Sequence, residues 1–172
     1  MQKNTEPNSK ALRNTAIGTP WGLLAFGFGS GLSPKAPGTA GTAAGMLLAF
    51  PLAGIPVWAA LGVVGLAFLA GIPICRKASQ ALGVHDHGGI VFDEFVGIWL
   101  VLAVVPFQWS WWLAAFVTFR FFDVIKPWPI GWLDRKVHGG FGIMLDDLIA
   151  ALYAAAVLFL IGMLWRTFSA TG

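Results

Sequence analysis

The strongest constraint on this chain's fold is where its charges are missing. The runs Asn14 to Pro34, Ala36 to Cys75, Phe95 to Phe119 and Leu148 to Trp165 contain no Asp, Glu, Lys or Arg. Each is long enough to cross or enter a bilayer, where a spanning helix needs roughly 17 to 25 mainly apolar residues. A soluble domain of 172 residues needs more polar cover than 11% charged residues can give, and 57% of this chain is hydrophobic. The nine Trp and fourteen Phe suit membrane interfaces and lipid-facing surfaces. The expected fold is therefore all-α: a polytopic membrane helical bundle.

Glycine and proline divide the apolar runs. Trp21 to Leu32 is short and glycine-rich and predicts a re-entrant or interfacial helix. The 40 residues from Ala36 to Cys75 are too many for one crossing. They are interrupted at Pro51, Gly54 and Pro56, which predicts a helical hairpin turning near residues 51–56. A similar break at Pro106 to Ser110 separates helices expected at about 89–105 and 109–125, with a last helix at about 145–165. The count is then about five to six helices in one domain over residues 21–168, preceded by a polar cytoplasmic arm over residues 1–20. Lys3, Lys10, Arg13, Lys35, Arg76, Lys77, Lys126, Arg135 and Lys136 all fall on one side of this topology, which basic residues mark as cytoplasmic.

Other classes are excluded by composition. A single cysteine, Cys75, rules out an internal disulfide or a cysteine-cluster metal site. A net charge of +3, scattered along the chain, gives no footprint for nucleic acid.

Seven of the eight acidic residues lie between Asp86 and Asp147: Asp86, Asp93, Glu94, Asp123, Asp134, Asp146 and Asp147. The hairpin topology gathers them at the cytoplasmic membrane edge, although "GGIVFDEFVGIWLVLAVV" presses Asp93 and Glu94 against an apolar run. An ionised side chain inside a bilayer costs about 2.5–3.5 kcal/mol on insertion scales, so such groups face a polar cavity and find partners. The nearest basic residues, Arg120 and Lys126, are too few for this many carboxylates. A hard divalent cation such as Mg²⁺ meets the need, because carboxylate oxygens suit it. Two simpler roles compete: Asp146 stabilising a helix N-terminus, and an Arg120–Asp123 structural ion pair. Acids in membrane helices also mark ion pathways, so ion-coupled transport is an alternative function, as is a non-catalytic membrane scaffold. A transporter would more naturally carry its acids near mid-membrane.

A second constellation is "GFGSGLSPKAPGTAGT", residues 27–42, with Ser30, Ser33, Lys35, Thr39 and Thr42 among glycines. Backbone N–H groups of such a loop can receive a phosphate, with lysine adding charge, although small residues also serve close helix packing. It is neither a Walker loop nor a dinucleotide turn. The cysteine-phosphatase loop and the Asp-x-Asp nucleophile pair are absent, which makes metal-assisted hydrolysis without a covalent intermediate the default expectation for a phosphate chemistry here. His85, Asp86 and His87, in "HDHGG", sit just before the helix that carries Asp93 and Glu94 and offer either a base or metal ligand or simply an exposed polar loop.

Three segments, "GFGSGLSPKAPGTAGT", "GVHDHGGIVFDEFVG" and "FRFFDVIKPWPIGWLDRKVHGGFGIMLDDLIAA", resemble the signature segments of the bacterial phosphatidylglycerophosphatase A family. The resemblance runs in order from about Trp21 to Ala151. It implies a Mg²⁺-dependent, multi-pass enzyme of the bacterial inner membrane whose active site faces the cytoplasm. Its substrate would be the phospholipid phosphatidylglycerophosphate, hydrolysed to phosphatidylglycerol. On that footing Asp93, Glu94, Asp123 and Asp147 are expected to hold Mg²⁺, with Asp146 as a further ligand or neighbour. Lys35, Arg120, Lys126 and the backbone of Gly38 and Thr39 are expected to bind the phosphate, and Asp86 or His87 to accept a proton.

Overall fold

A computed structural model describes residues 9–84 and 87–170. Among these residues there is no strand, and there are eight α-helices. They are α1 (Ser9–Gly18), α2 (Pro20–Ala25), α3 (Pro37–Leu48), α4 (Val57–Leu82), α5 (Phe92–Val104), α6 (Trp109–Ile125), α7 (Ile130–Lys136) and α8 (Gly139–Ala170). Two 3₁₀ segments, Gly27–Leu32 and Phe50–Gly54, complete the chain of elements.

The long helices alternate in direction, and glycine contacts fix the pairing. On α4 and α8, Gly71 faces Met144 while Gly140 lies against the Ile72 carbonyl and Arg76, so the two run antiparallel. On α3 and α5, Gly38 faces Glu94, and Gly45 faces Phe95 and Ile98, so these two start from the same end. Trp99 Nε1 donates to the Gly45 carbonyl across 2.7 Å and fastens that pair. Removing Cβ at 38, 41 and 45 lets α3 approach α5 more closely than larger side chains allow.

Two apolar clusters fill the interior. One joins α1, α2, α4, α5 and the start of α8 around Phe26, Val64, Cys75, Phe92 and Met144. The other joins α5, α6, α7 and α8 around Ile98, Phe119, Ile130 and Ala154. Trp99 and Leu100 of α5 touch both, which makes α5 the central helix.

Val57–Leu82 and Gly139–Thr167 are long and apolar enough to cross a membrane. Only 17% and 22% of their most apolar stretches are buried, so most of that surface points outward, unlike a core helix of a soluble protein. At the end of the molecule away from the acids, Phe50, Phe107 and Trp112 pack with ring centroids 5.0–5.9 Å apart.

The expected turns at 51–56 and 106–110 are present, but several boundaries differ. Eight α-helices replace the expected five to six. The polar arm becomes helical from Ser9, and Ala16 of α1 is fully buried. The short broken element at Trp21 to Leu32 is α2 followed by a 3₁₀ segment. The glycine-rich loop ends at Ala36, because Pro37 at the first helical position is pre-set for a helix that runs through Gly38, Thr39 and Thr42. The last helix starts at Gly139 rather than near 145. A short helix, α7, occupies residues expected to be a connection.

Candidate functional site

The start of α5 is pinned where Val91 N–H donates to the Ala25 carbonyl at 2.8 Å. The first turn of α5 then carries Asp93 and Glu94, both buried. That turn is the positive end of the helix dipole, which favours carboxylates. Asp93 Oδ1 accepts the Glu94 backbone N–H at 3.0 Å.

Arg120, in the last turns of α6, meets these acids. Its Nη1 lies 3.1 Å from Glu94 Oε1 and 2.5 Å from Asp123 Oδ2. It also reaches Thr42 Oγ1 of α3 at 3.4 Å. Thr42 Oγ1 lies 2.8 Å from Glu94 Oε2 and 3.0 Å from the Gly38 carbonyl oxygen. A methyl on Gly38 would overlap Glu94 Oε1 and stand 2.9 Å from Arg120 Nη2, so the guanidinium and carboxylate occupy the space a side chain would fill.

A second cation completes the layer. Lys126 caps α6 in the left-handed conformation (φ 45°), and its Nζ lies 2.5 Å from Asp146 Oδ2 and 3.2 Å from Asp134 Oδ2. Burial alone would lower its pKa, but the charges and hydrogen bonds of Asp146 and Asp134 outweigh that and hold the ammonium above the ordinary lysine value.

Asp147 is 3% exposed, and its Oδ2 has no hydrogen-bond partner among the described residues. It stands within electrostatic reach of Asp123, Asp93, Asp146 and Glu94. Five carboxylates from three helices thus share one layer with two cations. Among the described residues, no three His, Cys, Asp or Glu side chains form a ready-made metal cage.

Known proteins match this sequence over most of its length. The family model described as Phosphatidylglycerophosphatase A matches residues 23–162. The chain belongs to the phosphatidylglycerophosphatase A family. A phosphatidylglycerophosphatase A of Escherichia coli strain K12 is 47% identical over 150 residues, covering 87% of each chain. One from Haemophilus influenzae is 49% identical over 157 residues, covering 87% of this chain and 93% of its own. A protein of Bacteroides thetaiotaomicron named putative phosphatidylinositol-3-phosphatase is 37% identical over 141 residues, covering 77% of this chain and 87% of its own. No solved structure matches the chain.

Of the residues expected to form the site, Glu94, Asp123 and Arg120 are in direct contact, as are Lys126 and Asp146. Asp93 and Asp147 are buried in the same layer. Asp146 and Asp147 lie two turns inside α8, whose first turn holds no acid, so Asp146 does not stabilise that helix's N-terminus. The Arg120–Asp123 ion pair is present, but as part of a network with Glu94 and Thr42.

Gly38 and Thr39 are in the first turn of α3, where backbone N–H groups lack acceptors within the helix. Lys35 is exposed, just ahead of that turn. His87 is built into the turn before α5, its Nδ1 accepting the Gly89 N–H at 3.0 Å. Asp86 lies outside the described residues. Sequence reasoning placed Thr42 in a phosphate loop without a specific role. The spacing of Gly38, Gly41, Thr42 and Gly45 is the signal that places it on the packed face of a helix.

Proposed function

We propose that this chain hydrolyses the terminal phosphomonoester of phosphatidylglycerophosphate, giving phosphatidylglycerol and phosphate. We place it in the bacterial inner membrane as a multi-pass protein, with the acidic layer at the cytoplasmic face. Family membership supports the reaction, because the E. coli and H. influenzae relatives carry that activity in their names. The observation that carries the site is the meeting of Arg120, Glu94, Asp123 and Thr42 beside the first turn of α3. Helices with mostly outward-facing apolar surface support the membrane setting.

In this reading the free N–H groups of Gly38 and Thr39 receive phosphate oxygens at the positive end of α3, and Lys35 adds charge from the adjoining turn. Arg120 lies against Gly38, and its buried Nε has no acceptor among the described residues. It would thus face the phosphoryl group with donor capacity to spare. Lys126 balances the carboxylates of α7 and α8 and keeps Asp146 oriented. Asp86 or His87 takes the proton of the attacking water.

The carboxylate layer fits Mg²⁺ in its chemistry. The buried Asp147 Oδ2, without a hydrogen-bond partner among the described residues, is the kind of oxygen a hard cation would engage. Asp93, Glu94, Asp123 and Asp147, with Asp146 beside them, would hold the ion. When bound, it would polarise the phosphoryl oxygen and lower the pKa of a bound water.

Phosphate release by the purified protein from detergent-solubilised phosphatidylglycerophosphate is the direct test. Release that depends on added Mg²⁺ and stops with a chelator supports both the reaction and the ion. No release in the presence of Mg²⁺ would exclude the reaction.

A further inference from the structure

Thr42 is fully buried, yet it carries a hydroxyl in the middle of a charged layer. Its neighbours along α3, Gly41 and Gly45, have no side chains and let α5 come close. A β-branched apolar residue would fill the same volume, so packing alone does not call for the oxygen.

The geometry gives the oxygen a task. Glu94 has its two carboxylate oxygens divided between two groups: Oε1 faces Arg120 Nη1 at 3.1 Å and Oε2 faces Thr42 Oγ1 at 2.8 Å, closer and more charged than the Gly38 carbonyl at 3.0 Å, the other acceptor for the hydroxyl's single proton. A carboxylate held at one oxygen alone can turn about its final bond, whereas one held at both cannot. Thr42 Oγ1 also accepts from Arg120 Nη1 at 3.4 Å, which closes a ring of three side chains from α3, α5 and α6. The guanidinium held by this ring lies directly against Gly38. The same helix therefore supplies both the amide groups of the anion site and the hydroxyl that sets the cation beside them.

We propose that Thr42 is a positioning residue for phosphate hydrolysis: its hydroxyl locks the Glu94 carboxylate so that Glu94 holds Arg120 against the first turn of α3. Among the five clustered acids, Glu94 then aims the guanidinium in addition to its place beside the ion site. This inference rests on the phosphatase reading above.

The test compares Thr42→Ser, Thr42→Ala and Thr42→Val, each assayed for phosphate release per folded molecule in detergent. Loss of a hydrogen bond to a charged group predicts that Thr42→Val and Thr42→Ala each lose about tenfold or more in kcat/KM, while Thr42→Ser stays within about twofold of the parent. A packing role predicts the reverse order, because valine preserves volume and serine leaves a methyl-sized gap. If Thr42→Val does not fold, the Ser and Ala pair decides, since both lack the methyl and only one keeps the hydroxyl.

A cycle with Glu94→Gln adds a second readout. If Thr42 acts through Glu94, the Thr42→Ala loss shrinks to about twofold or less in the Glu94→Gln background. Equal activity of Ser and Ala, or losses that multiply in the cycle, would overturn the inference while leaving the phosphatase reading intact. A parent protein that releases no phosphate overturns both.

Discussion

At the scale of single residues, the acids stood out because they are scarce. In a chain with eight carboxylates, seven within one stretch and two doublets against apolar runs had to share a purpose. The partners of those acids were less visible, because a threonine among glycines looks the same whether it faces a ligand or a neighbouring helix. Gly38 gives a sharp prediction here. Gly38→Ala would push a methyl into Glu94 Oε1 and the Arg120 guanidinium, so phosphate release should drop roughly tenfold to a hundredfold through misplacement alone. A thermal melt beside the assay checks that the fold survives. Asp147→Asn should leave the protein folded but raise the Mg²⁺ concentration needed for half-maximal release at least about tenfold, which a metal titration reads directly. An unchanged titration would remove Asp147 from the ion site.

Elements were legible where proline and glycine break the apolar runs and obscure where they do not. The turns near 51–56 and 106–110 are marked by Pro51, Pro56 and Pro106. Helices that are apolar all round carry no 3.6-residue pattern to show their ends. Gly139 and Gly140 are of a type that usually interrupts helices, yet the last helix begins at Gly139. Gly140 is instead the point where α8 meets the Ile72 carbonyl of α4, a contact that no Cβ could share. The short helix α7 was hidden by its proline-rich approach, and its Asp134 is tied to Lys126. Close seams of this kind should not tolerate bulk. Gly97 faces the Phe119 ring, where an added Cβ would sit 2.6 Å from the nearest ring carbon. Gly97→Leu should therefore lower stability by about 1–3 kcal/mol or more, seen as a reduced melting temperature in detergent. Gly62, which has no atom within 4 Å of an added Cβ, should accept alanine without loss.

At the scale of the whole molecule, α3, α5 and α8 leave the acidic layer while α4 and α6 return to it. This arrangement predicts a topology that labelling can check. Cys75, the sole cysteine, is buried, so single cysteines placed elsewhere report on themselves. Cysteines at positions 35 and 134 should react from one side of a sealed membrane, and those at 54 and 108 from the other. Reaction of 35 and 134 from opposite sides would break the convergence on which the site depends. The helices that share the layer are unequal in reach. From Leu148 to Trp165, α8 offers 18 residues free of charge, or roughly 27 Å of rise, close to the thickness of a bilayer's hydrocarbon. The 13 residues of α5 rise only about 20 Å. The aromatic turn around Phe107, Trp109 and Trp112 would then stop short of the far headgroups, and lipid beside it would have to dip inward to meet the exposed indole of Trp109. In the membrane setting proposed above, an enzyme shaped this way would thin its own patch of bilayer, and it should turn over faster in bilayers of shorter acyl chains, where that deformation is already made.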